Sequence, residues 1–285
     1  MNADGPVLLE IVVPAHNEAA RLPRGLAELS AALRRLDVPA EVIVVDNASD
    51  DATPAIAREW AGPVPVRLLG CARRGKGAAV RAGLLATRAP YVGFCDADMA
   101  TGLAALGQVL ELLRAGDPVV VGSRRHPDSR VEDYSSPLRK LGAITFNRLI
   151  RDLAGGVTDT QCGFKFFAGP LARAAAADLR TTGFAFDAEL LMQCARRGAA
   201  VTDVPVEWRD VPGSTFSVRR HSVACLCDLA RIRALTWRAA SESAASAAPT
   251  STASASASAD GADGAREGRA RAMPLAVTET SGSGP

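Results

Sequence analysis

An α/β fold built on a wound, mostly parallel sheet is what the sequence predicts, and three stretches carry that prediction. Val7 to Pro14 (VLLEIVVP), Glu41 to Asp46 (EVIVVD) and Tyr91 to Cys95 (YVGFC) are short apolar runs, as expected for strands covered on both faces. Between them, leucines recur at helical spacing, so strands and helices alternate along the chain. Such alternation forecasts right-handed crossovers and helices packed on both sides of the sheet.

Taken in order, the first strand runs into the loop Ala15-His16-Asn17-Glu18, behind which Leu22, Leu26, Leu29, Leu33 and Leu36 share one helical face. The second strand ends at Asp46 and gives way to the turn-rich Asn47 to Asp51. Thr53 and Pro54 then read as a helix cap with proline in the first turn. Val66 to Leu69 is a third strand, and Gly75 to Arg88 a helix that opens Gly-Lys-Gly. After Tyr91 to Cys95, Leu103, Leu106, Leu110 and Leu113 mark another helix, and Val119 to Val121 is a strand that ends at Gly122-Ser123-Arg124.

Beyond Arg124 the pattern changes. A polar loop from His126 to Pro137 precedes a helix near Leu138 to Leu153 and the segment Gly155 to Phe167, GGVTDTQCGFKFF. Phe184 to Arg197 is a helix with Asp187 and Glu189 in its first turn, where the helix dipole favours carboxylates. Val201 to Trp208 reads as a strand, Gly213-Ser214-Thr215 as a loop and Val223 to Arg238 as a final helix. From Ser241 onward alanine, serine, glycine and threonine dominate, a composition expected to stay disordered because it cannot bury enough apolar surface. The organisation expected is one domain over residues 1–240, in halves 7–124 and 125–240, followed by a tail over 241–285.

With 285 residues, 48% of them hydrophobic, the chain can build one substantial core. A formal charge of +2 supplies no global field for a nucleic acid, so none is expected as partner. Lys76, Lys140 and Lys165 are the only lysines, which marks each for inspection. The six cysteines contain no C-x-x-C pair, which argues against zinc and against a disulfide framework. The N-terminus carries no signal-like pattern, and no run of about 18 apolar residues occurs. A cytoplasmic location with at most peripheral membrane contact is the expectation.

The chemistry centres on Asp96-Ala97-Asp98, which emerges where the strand Tyr91 to Cys95 stops. In open α/β sheets the carboxyl ends of the strands form the ligand crevice. Two carboxylates this close can hold Mg2+ or Mn2+, with phosphate oxygens and water completing the coordination. Alternatively, Asp98 caps the next helix and Asp96 is solvated. Gly70 to Gly77 (GCARRGKG) nearly spells the phosphate-cradling G-x-x-x-x-G-K-[ST], which makes a P-loop-like ATPase the rival reading. Against it, Gly77 offers no hydroxyl for a metal. Gly75 and Gly77 also give a weak G-x-G, but Val80 stands where a dinucleotide fingerprint needs its third glycine.

The whole set, strand-P-A-H-N-E, V-D-N-A-S-D-D, R-G-K-G-A-A-V-R-A-G, D-A-D-M-A-T, G-S-R and D-T-Q-C-G-F-K-F-F, in this order, resembles the family 2 inverting glycosyltransferases of the GT-A fold. The forms D-A-D-x-A-T and D-T-Q-C-G-F-K look most like dolichyl-phosphate β-glucosyltransferases and their prokaryotic polyprenyl-phosphate relatives. The likeness covers about Val7 to Arg220. It implies a metal-dependent transfer of a hexose from a UDP- or GDP-sugar, UDP-glucose being expected, to a polyprenyl or dolichyl phosphate. Pro14, Ala15, His16 and Glu18 would line the nucleotide, with Asp46 facing base or ribose and Lys76 near the base and diphosphate end. Asp96 would lie near ribose or a metal-bound water, with Ala97 also along the sugar nucleotide, and Asp98, with Asp96, would serve the metal. Arg124 would sit beside the diphosphate or acceptor phosphate, while Gln161 and Lys165 flank the acceptor pocket.

The resemblance has departures. His16 replaces a tyrosine common in the family. Gly213-Ser214 leads to Thr215 and Phe216 rather than to a lysine, so Arg219 and Arg220 are candidates for the acceptor phosphate there. A phosphate acceptor arrives ionised, whereas a hydroxyl acceptor needs a base, for which Asp187 and Glu189 are the candidates. Both could instead merely compensate the helix dipole, and Phe164, Phe166 and Phe167 could be ordinary core. Without the membrane anchor of the eukaryotic relatives, the final helix is left either to lie on a membrane or to pack on the domain. Transfer to a soluble hydroxyl acceptor and a non-catalytic nucleotide-sugar-binding module stay open as alternatives.

Overall fold

A computed structural model describes residues 6–132, 156–211 and 228. Seven strands form one sheet in the order β3-β2-β1-β4-β7-β5-β8. They are β1 (Leu9–Ala15), β2 (Ala40–Asp46), β3 (Val66–Gly70), β4 (Tyr91–Cys95), β5 (Val119–Ser123), β7 (Phe164–Ala168) and β8 (Val201–Pro205). The helices are α1 (Leu22–Leu36), α2 (Thr53–Arg58), α3 (Lys76–Ala86), α4 (Leu106–Ala115), α5 (Gly169–Ala177) and α6 (Phe186–Ala195). The short strands β6 (Arg130–Val131) and β9 (Glu207–Trp208) pair in a separate two-stranded ribbon.

Why the runs read as continuous rather than alternating is visible in the packing. On one face Leu9, Ile11 and Val13 of β1 meet Leu22, Leu26, Leu29 and Leu33 of α1 and Leu106, Val109 and Leu113 of α4. On the other, Val12, Ile43 and Val45 meet Ala79, Val80 and Leu84 of α3 and the apolar sides of α5 and α6. Each such side chain removed from water contributes about 1.5–3 kcal/mol, so burial on two faces favours apolar residues at every position.

Two elements differ from expectation. The segment Gly155 to Phe167, given no element from the sequence, ends in a strand: Phe164–Ala168 forms β7, antiparallel to both β4 and β5. It fits there because Phe164, Phe166 and Phe167 are fully buried and Phe164 stacks edge-on against Phe166 at 4.7 Å. Those phenylalanines are core, and the sheet runs through both halves of the domain. The strand expected over Val201 to Trp208 is two, since Pro205 ends pairing with β5 and Glu207–Trp208 then pairs with β6. The helix near Leu138 to Leu153, the loop at Gly213, Arg219, Arg220, the final helix apart from Asp228, and the tail over 241–285 lie outside the described residues.

Candidate functional site

The strand order reverses direction about β1, which has β2 on one side and β4 on the other, both parallel to it. Crevices at the carboxyl edge of such a switch point are where open α/β sheets bind ligands. Ala15, Asp46 and the residues after Cys95 converge there. Ala15 and Asp46 are direct register partners, and Asp46 Oδ1 is buried with no hydrogen-bond partner, an acceptor left for a donor not in the chain.

Asp96 and Asp98 leave β4 through a tight turn in which Met99 adopts a left-handed φ of 47° and donates its N–H to Asp96 O at 3.1 Å. Asn17 (φ 54°) and Ala48 (φ 56°), in the loops after β1 and β2, are also left-handed. Three strained non-glycine residues therefore rim one crevice, a clustering typical of functional sites. Asp98 Oδ1 accepts the Ala100 N–H at 3.1 Å within the turn and caps no helix, the next ones starting from Gly102 and Ala105 without a side-chain cap, while Oδ2 faces Arg21 Nη1 at 4.0 Å. Burial and then the charge of Asp96 push the Asp98 pKa up. Behind Asp96 stands Gly163, where a Cβ would fall 2.1 Å from Asp96 Oδ2, so only glycine lets the carboxylate take this position.

Lys76 Nζ lies 2.6 Å from Asp96 Oδ1, an ion pair without hydrogen-bond alignment. It also lies over the Phe186 ring, 6.0 Å from the centroid. Burial alone would lower its pKa, but the charges of Asp96 and Asp187 outweigh that, and the net shift is upward. Lys76 therefore stays cationic in the crevice. The loop before it does not cradle phosphate. Asn47 takes the Gly75 N–H at 2.7 Å and donates to Cys71 O and Arg73 O, while Thr182 O takes the Gly77 and Ala78 N–H groups. A P-loop needs such donors free for the nucleotide, so the P-loop reading does not hold.

Of the other residues singled out in the sequence, His16 Nδ1 meets Asn47 O at 2.9 Å, and Pro14 is partly buried at the end of β1. Glu18 grips Arg21 through two bonds of 2.6 and 2.7 Å, and its pKa is raised by burial against the pull of Arg21. Ala97 is buried, with its carbonyl against Gly25 of α1. Arg124 is engaged by Asp159 through Nε at 2.6 Å, Nη2 at 2.9 Å and its own N–H at 3.1 Å, and it lies 5.5 Å over the Trp208 ring. Gln161 donates its N–H to the same carboxylate. Lys165 is fully buried in β7, its Nζ donating to Cys162 O at 2.5 Å and to Asp187 Oδ1 at 2.7 Å. Asp187, also buried, has a pKa raised by burial and opposed by Lys165 and Lys76. Glu189 is fully buried and accepts the backbone N–H groups of Arg180 and Thr181.

The crevice thus gathers Glu18, Asp46, Lys76, Asp96 and Asp98, with Asp187 and Lys165 beneath. Sequence reasoning passed over Arg21, Asn47 and Asp159. Arg21 had a readable signal, lying three residues after Glu18 at a helix start. Asn47 and Asp159 lie in the quoted V-D-N-A-S-D-D and D-T-Q-C-G-F-K motifs, but their partners, 24 to 35 residues away, could not be read from them.

Burial would raise the pKa of Asp159, but the hydrogen bonds and charge of Arg124 overcome it and hold the group at about 2, below its ordinary 3.8. A depressed pKa means that ionised Asp159 stabilises the fold above pH 4 or so, and that this stabilisation is lost as pH falls through about 2. Asp159→Asn is expected to cost about 2 kcal/mol at pH 7 and to flatten the acid limb of the stability curve between about pH 4 and 2. Urea unfolding across that range measures both.

Among the described residues, no three His, Cys, Asp or Glu side chains stand close enough to hold a metal by themselves. Two adjacent carboxylates, one with its pKa raised by the other, still fit a hard divalent cation whose remaining ligands come from a diphosphate and water.

Fold and crevice together define a GT-A glycosyltransferase. Residues 10–172 match the family described as Glycosyl transferase family 2, and the chain belongs to that family. It is 36% identical over 232 residues to the dolichyl-phosphate beta-glucosyltransferase of Drosophila melanogaster, covering 75% of this chain and 71% of that protein. The Dictyostelium discoideum enzyme of the same name is 32% identical over 242 residues, covering 80% and 74%. Among solved structures, glucosyl-3-phosphoglycerate synthase from Mycobacterium tuberculosis in complex with UDP superposes with a TM-score of 0.60 at 20% identity, covering 81% of each chain. The same enzyme with Mn2+ and UDP-glucose gives 0.57 at 20% identity, covering 80% of each chain. At that identity the likeness concerns the fold.

Proposed function

We propose that the protein transfers glucose from UDP-glucose to a polyprenyl phosphate of the dolichyl type, with Mg2+ or Mn2+ bound at Asp98 and Asp96. The observation that carries the acceptor class is the state of the two candidate bases. Asp187 is ion-paired with Lys165, and both oxygens of Glu189 hold backbone N–H groups. A hydroxyl acceptor would need one of them free to take its proton, whereas a phosphate monoester reaches neutral pH already ionised. The names of the relatives support the same acceptor, and the unpartnered Asp46 Oδ1 supports a nucleotide in the crevice.

In this reading Asp46, Pro14, Ala15, His16 and Glu18 border the nucleotide. Lys76, kept cationic by Asp96 and Asp187, offsets charge that develops on the departing diphosphate. A bound divalent cation supplies Lewis-acid stabilisation to the same oxygens. Asp187 and Lys165 act from beneath by fixing the charge and position of Lys76. Asp159 takes Nε and Nη2 of Arg124 and the Gln161 N–H, and so positions Arg124 as the candidate neighbour of the diphosphate or acceptor phosphate. No helix among the described residues is long and apolar enough to cross a membrane.

Purified protein incubated with Mn2+, UDP-glucose or GDP-mannose, and polyprenyl phosphate in detergent tests the proposal by mass spectrometry of the chloroform phase. A hexosyl-phosphoryl-polyprenol from UDP-glucose is expected. Hexose appearing only on water-soluble acceptors would overturn the lipid reading, and tight UDP-glucose binding with no turnover would point to a binding module.

A further inference from the structure

Among the described residues, Arg21 is the arginine whose guanidinium reaches into the acid cluster. Its Nε and Nη2 are taken by Glu18, but Nη1 is buried, has no hydrogen-bond partner and lies 4.0 Å from Asp98 Oδ2. A buried donor left unsatisfied is costly and calls for a reason. Here the reason is electrostatic. Glu18, Asp96 and Asp98 bring three carboxylates to one crevice, and two cations answer them, Lys76 on Asp96 and Arg21 between Glu18 and Asp98. The bidentate grip of Glu18 holds the guanidinium 4.0 Å from Asp98 Oδ2, short of a hydrogen bond, while Oδ1 accepts the Ala100 N–H.

We infer that Arg21 is a built-in counter-cation for Asp98, tethered by Glu18, that sets how tightly the crevice takes a divalent cation. The inference rests on the reading of Asp98 as a metal ligand and adds a positioning residue to it. A fully released Asp98 would bind a dication more tightly, and a fully paired one more weakly; the tether fixes an intermediate value, compatible with release of a metal-bound diphosphate product.

Opposite substitutions should therefore move metal affinity in opposite directions. Removing the guanidinium in Arg21→Met is expected to tighten Mn2+ binding on the order of tenfold, the scale of one unit charge lost near a dication in a hydrated site. Cutting the tether in Glu18→Gln lets Arg21 close on Asp98 and is expected to weaken binding by roughly threefold or more. Arg21→Lys keeps the charge and should stay near the parent. The readout is Mn2+ binding by electron paramagnetic resonance in titrations of the full chain with saturating UDP, against a blank of UDP alone, beside melting curves. Simple damage to the loop would weaken binding in both variants, so the opposed signs are diagnostic. An Arg21→Met chain that binds no tighter than the parent, while Asp98→Asn loses binding, would overturn this inference alone. An Asp98→Asn chain that binds as tightly as the parent would overturn the metal assignment and this inference together.

Discussion

Replacing Asp98 with asparagine is expected to lower the rate of hexose transfer by about 10²–10³-fold, the usual cost of losing one group that stabilises charge in the transition state, while the melting temperature holds or rises. The two effects share a cause. Burial and the neighbouring charge of Asp96 raise the Asp98 pKa, so the fold prefers the protonated form. That preference is fully expressed below the unfolded pKa and is lost as pH rises through the folded one, so at neutral pH the ionised group is a net cost to stability. Asparagine keeps the side-chain oxygen that accepts the Ala100 N–H, removes the cost, and removes the anion the crevice offers to a cation. Initial rates with saturating donor and a differential melt on the same preparation check both halves. A variant that lost activity and stability together would mean that Asp98 chiefly holds the turn at Ala100.

The parts of this site that were legible in the sequence are those whose cause is local. β1, β2 and β4 are buried on both faces, so their runs are apolar apart from Glu10 of β1 and Glu41 of β2, and Asp46 and Asp96 mark where β2 and β4 meet the crevice. β7 was not legible for the opposite reason. A central strand with a lysine in it violates the pattern that burial imposes, and Lys165 is tolerable only because Asp187, 22 residues later, meets it at 2.7 Å. Nor was α5, an alanine-rich segment with little apolar periodicity, although Pro170 in its first turn was a usable start signal. That Arg124 sits beside a phosphate is what the family resemblance implies. Its engagement by Asp159 depends on a contact 35 residues away that no spacing reveals.

That buried pair is where the largest effect on stability is expected. Lys165 and Asp187 are almost wholly removed from water, and Lys165 Nζ also lies 5.3 Å over the Phe94 ring, in surroundings too apolar to solvate a lone charge. Breaking such a pair from one side leaves an uncompensated buried ion and costs about 3–5 kcal/mol. Lys165→Met and Asp187→Leu are each expected to lose that much in urea unfolding at pH 7. The double variant replaces both ions with apolar side chains of similar volume and should recover most of the loss, since apolar substitutes for buried pairs are often neutral or better. Transfer activity should not recover with it. Asp187 is the second carboxylate holding the charge on Lys76, and its removal leaves Asp96 to do so alone. A double variant restored in stability yet slow in transfer would place the pair beneath the chemistry as an electrostatic support for Lys76. One restored in both would show that the ions serve the fold only, and Lys76 would then owe its position to Asp96 and the Phe186 ring.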